Sequence, residues 1–391
     1  MLSKIKIGFA VAAVLLAALA FFSLADLVRG HRASAMDVRV LIVSGRGEAR
    51  IGPGIPFKVT DLSGGNVLME DKKPLKSMAV RTEEGDLLFG ERLLPSAAVK
   101  LTPLKGQGIG VNGVLYRGDI IIRNNDGSLE CINELGIEEY LRGVLPEEVY
   151  AYWPSSALKA QAIASRSFAA YRALRSSRRA YDLRHDARSQ VYGGMKAENM
   201  RTTRAVMDTN GKVLSYDGKV FPAYFSACCG GYRESSASLW GEELEPLKGG
   251  RCIWCRFSPV FRWREDISKD FIAGEMRKAG YGVERVDSLK AFERDSSGRP
   301  AYIEISSAKR KVKVGTEDFR IMVGQDLLKS SLFRMRETDD KVIFHGRGWG
   351  HGVGMCQWGA FGMSMFLRST GNILKTYYPG TEIVDLKQML K

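Results

Sequence analysis

Two adjacent carboxylates, Glu147 and Glu148, follow a proline in the stretch Tyr140–Arg172, YLRGVLPEEVYAYWPSSALKAQAIASRSFAAYR. Aromatic residues come next, then an alanine-rich segment carrying Lys159, Gln161 and Arg166. A carboxylate among apolar and aromatic neighbours is suited to acid chemistry on a polar polymer. A second dense region is GRGWGHGVGMCQWGA, preceded by His345. Its glycines let a backbone pass close to other chain, leaving His345, Trp349 and His351 to project, and Trp349 and Trp358 to stack on sugar faces. The third is a cysteine group. Cys228-Cys229 and Cys252-x-x-Cys255 supply a zinc-like ligand count, whereas Cys131 and Cys356 stand apart. Disulfides linking Cys228 or Cys229 to Cys252 or Cys255 are an equal alternative, and both readings are structural rather than catalytic.

Other chemistries fit less well. The glycine run follows a strand and precedes a helix, but too little chain remains for a dinucleotide fold, and no Gly-Lys-Ser/Thr is present. The chain has 391 residues, 45% hydrophobic and 26% charged, with a formal charge of +14. That composition supports a large packed core, and the charge favours anionic partners. Nucleic acid is disfavoured by the N-terminus, where Lys4 and Lys6 precede an apolar run from Ile7 to Ala25. This is the layout of an export signal or an uncleaved anchor, with Ala33-Ser34-Ala35 as a candidate cleavage site. The chain from about Met36 onward is then expected outside the cytoplasm, in a cell envelope.

The elements that must position these residues read as an α+β fold: a mixed, β-rich core around a central alanine-rich helix, with a small N-terminal β domain. Residues 36–107 alternate in β fashion between recurring turn signals and are expected as an accessory domain. Residues 108–391 form the main domain, elaborated at about 265–340. Asn125-Asp126-Gly127 and Asp217-Gly218 are hairpin signals. A short helix is expected from Ile137, ending at Gly143. Pro146 then opens a new helical turn containing both glutamates, and Pro154 opens the long helix to about Leu174. Lys159 and Arg166, seven residues apart, share one face of that helix.

Several stretches together resemble the stage II sporulation protein D and amidase-enhancer (SpoIID/LytB) family: the segment quoted above, QVYGG, AYFSACCGGYRESSASLWGE, GRGWGHGVGMCQWGAFGM and ILKTYYPGT. The resemblance covers roughly residues 108–385. It implies an exported or membrane-anchored lytic transglycosylase acting on peptidoglycan glycan strands, with no cofactor required. Its alternative is a non-catalytic wall-binding module that enhances a cell-wall amidase. The implied catalytic glutamate closes a Gly-Val-x-x-x-Glu stretch, where Glu148 stands. Lys159 and Arg166 match polar residues of the family's site, and Gln161, Tyr192, Tyr224, His345, Trp349, His351 and Gln357 are further candidates for substrate binding. Some members carry Cys and His just before Gln-Val-Tyr as zinc ligands. Arg188-Ser189 stand there in this sequence, so that site is not carried over.

One conflict accompanies the assignment. A first-turn position lowers a carboxylate's pKa, whereas a general acid needs it raised. Burial by Val144, Leu145, Tyr152 and Trp153 must then outweigh the helix start. Glu147 is expected only to stabilise that start.

Overall fold

The computed structural model describes residues 35–390, apart from 53–55, 72–76, 105–107 and 309. The export segment expected at Lys4–Ala25 lies outside the described residues. Among those described, no helix is long and apolar enough to cross a membrane.

The architecture is α+β. A seven-stranded sheet takes in Asp37–Arg46, Ser128–Gly136, Asp119–Asn125, Ala98–Pro103 and Phe57–Asp61, and a six-stranded sheet contains Glu48–Ile51, Met78–Glu83 and Ile109–Val111. Both hairpin signals are realised. Asn125 pairs with Ser128 around Asp126 and Gly127, and Tyr216 pairs with Lys219 around Asp217 and Gly218, all four turn residues having positive φ. The boundary expected at residue 107 is crossed by both sheets. Asp37–Arg46 pairs along Ser128–Gly136, and Ile51 pairs with Val111. One hydrophobic cluster runs from Val38 through Val80 and Ile120 to Leu141 and Trp153, so residues 36–107 share a core with the helices. Residues 263–344 supply a separate cluster, centred on Ile303, Phe319, Phe333 and Phe344.

Helix α1 spans Ile137–Glu148 and helix α2 spans Ser155–Arg175. The break expected at Gly143 does not occur. Ile137, Tyr140, Leu141, Val144 and Leu145 are all buried, and their spacing is one continuous helical stripe. That stripe carries the helix through Pro146, whose missing N–H costs one backbone bond near the helix end. Gly143 is required by packing rather than by a turn: a Cβ there would lie 2.6 Å from the Tyr192 ring and 2.9 Å from the Gly194 carbonyl.

Helix α2 is alanine-rich because it is covered on two sides. Ala157, Ala162, Phe168 and Ala169 face the first cluster. Ala160, Ile163 and Ala164 face a second, with Phe221, Met355, Ala360 and Tyr377. Small side chains permit both close approaches without a cavity.

Candidate active site

The extension of α1 reverses the expected setting of Glu148. Glu148 is the last residue of the helix, not a first-turn residue, and Val149 caps it. At a helix C-terminus the backbone dipole disfavours a negative charge. Glu147, next to it, is exposed and has no helix start to stabilise.

Glu148 lies in a groove of about 300 Å³ lined by Val149, Tyr150, Trp153, Val260, Trp349 and Trp358, among others. Burial pushes its carboxyl up to about 7 from the usual 4.5. Two hydrogen bonds act the other way. The Val191 amide donates to Oε1 at 3.2 Å and Gln357 Nε2 donates to Oε2 at 3.3 Å. The Glu147 charge adds a smaller upward push. Desolvation prevails, so the group is poised to give up and take back a proton near neutrality. The two donors fix its plane.

Aromatic rings build the walls. Trp153 packs on Trp358 with centroids 5.2 Å apart and on Phe361 at 5.1 Å. Tyr150 stacks on Tyr152 at 5.3 Å, and Tyr152 is well exposed. Trp349 is 37% exposed, which leaves its face available to a ligand. Trp153 was expected as cover for Glu148, whereas Tyr150 and Val191's amide are groove members that the sequence did not single out. The amide is invisible in the sequence because it belongs to the backbone of a loop.

The glycine-rich segment reaches the groove by threading through the second core. Gly354 has φ of +75°, and a Cβ there would fall 1.9 Å from the Tyr224 carbonyl oxygen. Gly348 has φ of +83° with the Cys228 carbonyl oxygen at 2.3 Å. Backbone pairing of Trp349 with Cys228 and of Met355 with Phe225 then brings Trp349 and Gln357 to the groove.

The other expected substrate residues are placed elsewhere. Arg166 is fully buried, and its guanidinium holds both carboxylate oxygens of Glu138 at 2.7 Å, with Nη1 on the Lys212 carbonyl at 3.0 Å. It locks α1 to α2. Lys159 pairs with Asp208 at 2.9 Å. Gln161 is buried and its amide donates to Ser165 Oγ at 3.1 Å. The seven-residue spacing did put Lys159 and Arg166 on one face, but that face meets protein, not the groove.

Tyr192 is a core residue, its hydroxyl donating to Asn133 Oδ1 at 2.9 Å. Its loop contributes instead by presenting the Val191 amide. Tyr224 packs at a tilt against Trp240 with centroids 4.4 Å apart, and the Trp240 ring lies 5.6 Å from that of His351. His351 bridges the backbone, with Nε2 at 3.0 Å from the Phe225 carbonyl and Nδ1 accepting from the Val353 amide at 3.1 Å. Burial lowers its pKa to about 4, so it is neutral and holds the loop. His345 is exposed in a different pocket, beside Arg262, Arg294, Arg334 and Arg347. Of the nine candidates, Trp349 and Gln357 join Glu148.

The cysteine set also changes. The sulfurs that converge are those of Cys229, Cys252, Cys255 and Cys356, all buried and within 4.8 Å of one another. Cys356 replaces Cys228 in the expected group, and all six cysteines are free thiols. Cys356 looked isolated because its partners lie about a hundred residues earlier in the chain.

The family model described as stage II sporulation protein (SpoIID) matches residues 125–216, and one described as a domain of unknown function (DUF8618) matches residues 255–354. An uncharacterized protein of Brachyspira hyodysenteriae is 33% identical over 73% of this chain and 76% of its own length. Stage II sporulation protein D of Bacillus subtilis is 28% identical over 67% of this chain and 78% of its own length. The amidase enhancer of Bacillus subtilis is 30% identical over 63% of this chain but only 40% of its own length. With these matches and the quoted motifs, the chain belongs to the SpoIID/LytB family.

Proposed function

We propose that this protein is an extracytoplasmic lytic transglycosylase that cleaves peptidoglycan glycan strands with Glu148 as its one acid/base. The observation that carries the reading is a carboxyl raised to about 7 at the floor of an aromatic groove, held by two donors. Carbohydrate faces stack on aromatic rings, and Trp349, Tyr150 and Trp358 supply them.

The reaction needs one carboxyl. Protonated Glu148 gives its proton to the glycosidic oxygen as the C1–O bond breaks. The sugar's own 6-hydroxyl then bonds to C1, and the Glu148 carboxylate takes the hydroxyl proton. The product ends in a 1,6-anhydro sugar and the enzyme returns to its starting protonation state. Gln357 and the Val191 amide stabilise the carboxylate between the two transfers without lowering its pKa to that of a free glutamate. A hydrolase with two carboxylates would need a partner for Glu148 across the bond. The adjacent Glu147 is exposed and reaches Glu148 only through its charge.

Similarity to the amidase enhancer favours one second reading, a wall-binding protein that stimulates an amidase. Purified, peptide-free glycan strands separate the two. Wild type should shorten them and Glu148→Gln should not. If both leave the strands intact while both still stimulate an amidase, the second reading replaces the first.

A further inference from the structure

We propose that Cys229, Cys252, Cys255 and Cys356 form a tetrathiolate site for a structural zinc ion, which ties the two chain segments flanking the groove. The proposal does not rest on the transglycosylase reading.

The geometry is that of a closed tetrahedral site. With a Zn–S distance of about 2.3 Å, the sulfurs of a regular tetrahedron stand about 3.8 Å apart. Here all four lie within 4.8 Å of one another, and Cys229 and Cys255 are 3.7 Å apart. One edge is the Cys252-x-x-Cys255 pair, at the entry to the turn Trp254–Phe257. The other is made by Cys229 and Cys356, which reach it through the parallel pairing of Phe225–Ser226 with Met355–Cys356. Cys228, whose backbone exchanges hydrogen bonds with Trp349 at 2.7 and 3.0 Å, neighbours the cluster but is not one of the four sulfurs that all lie within 4.8 Å of one another.

Groups around the sulfurs match what a doubly negative zinc–tetrathiolate needs. The Cys229 amide donates to Cys356 Sγ at 3.2 Å, and the Tyr377 hydroxyl lies 3.3 Å from Cys252 Sγ. Arg299, 3% exposed, donates to the Cys229 carbonyl at 3.2 Å, its charge shared between this site and Glu234 at 3.7 Å. Gly359 leaves room for this shell, since a Cβ there would meet Cys252 Sγ at 3.1 Å and the Tyr377 hydroxyl at 1.9 Å. Zinc binding displaces the four thiol protons and adds no redox chemistry.

The consequence reaches the groove directly. Cys356 immediately precedes Gln357, the donor to Glu148. Cys255 leads within five residues to Val260, which also lines the groove. The ion therefore sets the distance between these two segments.

The test is elemental analysis of the full chain, purified without chelator or added metal. One zinc per chain is expected, retained in Cys228→Ser and reduced below about one tenth in Cys356→Ser. Because the latter can fail to fold, wild-type protein also decides the matter: exchange with cobalt(II) should give the intense sulfur-to-metal charge-transfer bands and red d–d bands of a tetrahedral tetrathiolate. Iron in place of zinc, metal-free protein with the thiols reduced, or peptide mapping that finds any of the four in a disulfide overturns the proposal. Loss of zinc in Cys228→Ser with retention in Cys356→Ser overturns the ligand assignment.

Discussion

Replacing Glu148 by glutamine should change how stability depends on pH, whatever it does to activity. The carboxyl titrates at about 7 in the folded chain and near 4.5 when free of the fold. A raised carboxylate pKa means that the folded state binds the proton more tightly, so ionisation works against folding. The penalty is absent below the unfolded pKa, grows as pH rises, and is complete above the folded one. A shift of this size corresponds to about 3 kcal/mol at pH 8 and almost nothing at pH 4. Glutamine has no proton to lose, so the variant escapes the penalty. It also loses something, because an amide can offer its oxygen to Val191 or to Gln357 but not to both, at about 1 kcal/mol independent of pH. Subtracting wild-type from variant unfolding free energies at each pH cancels other titrating groups. The difference should rise by about 3 kcal/mol in favour of Glu148→Gln between pH 4 and pH 8, measured by urea unfolding. A flat difference would show that the carboxyl is not desolvated, and with it would go the physical basis for a general acid here.

Other consequences can be checked separately. Gln357→Ala removes a donor to the carboxylate, so the midpoint at which activity falls with rising pH should move upward from about 7, with kcat lowered about tenfold or more; an unchanged pH profile would separate Gln357 from the acid. Arg166→Ala strands Glu138 in the interface between the two helices and should destabilise the fold by about 3–5 kcal/mol. Lys159→Ala breaks only a partly exposed pair with Asp208 and should cost less than about 1 kcal/mol, with strand cleavage unchanged. Equal losses in these two variants would refute the division between a buried lock and a surface pair.

The difference between those two residues shows what the sequence could and could not reveal. Seven-residue spacing correctly placed Lys159 and Arg166 on one face of α2, but spacing says nothing about what that face meets. The face meets Glu138 and the Lys212 carbonyl in one place and Asp208 in another. The extent of α1 was legible in its apolar stripe, Ile137 to Leu145, and was missed because Gly143 and Pro146 are strong local stop signals. Packing of Gly143 against Tyr192 and burial of the stripe overrode them. That one misplaced boundary produced the conflict over Glu148, since it exchanged the helix's negative end for its positive one. The hairpins were legible because two turn residues decide them locally. The thiol cluster was only partly so: Cys252-x-x-Cys255 is local, whereas Cys356 joins through a parallel strand pairing that no short-range pattern announces.

The most direct test of the account is the chemistry of the new chain ends. Wild-type protein should convert purified glycan strands into fragments that lack a reducing end and are lighter by one water than the hydrolytic products, as read by mass spectrometry. Glu148→Gln should yield at least about a hundredfold fewer of them. Fragments of full hydrolytic mass, or anhydro ends made equally well by the variant, would contradict a single-glutamate lytic mechanism.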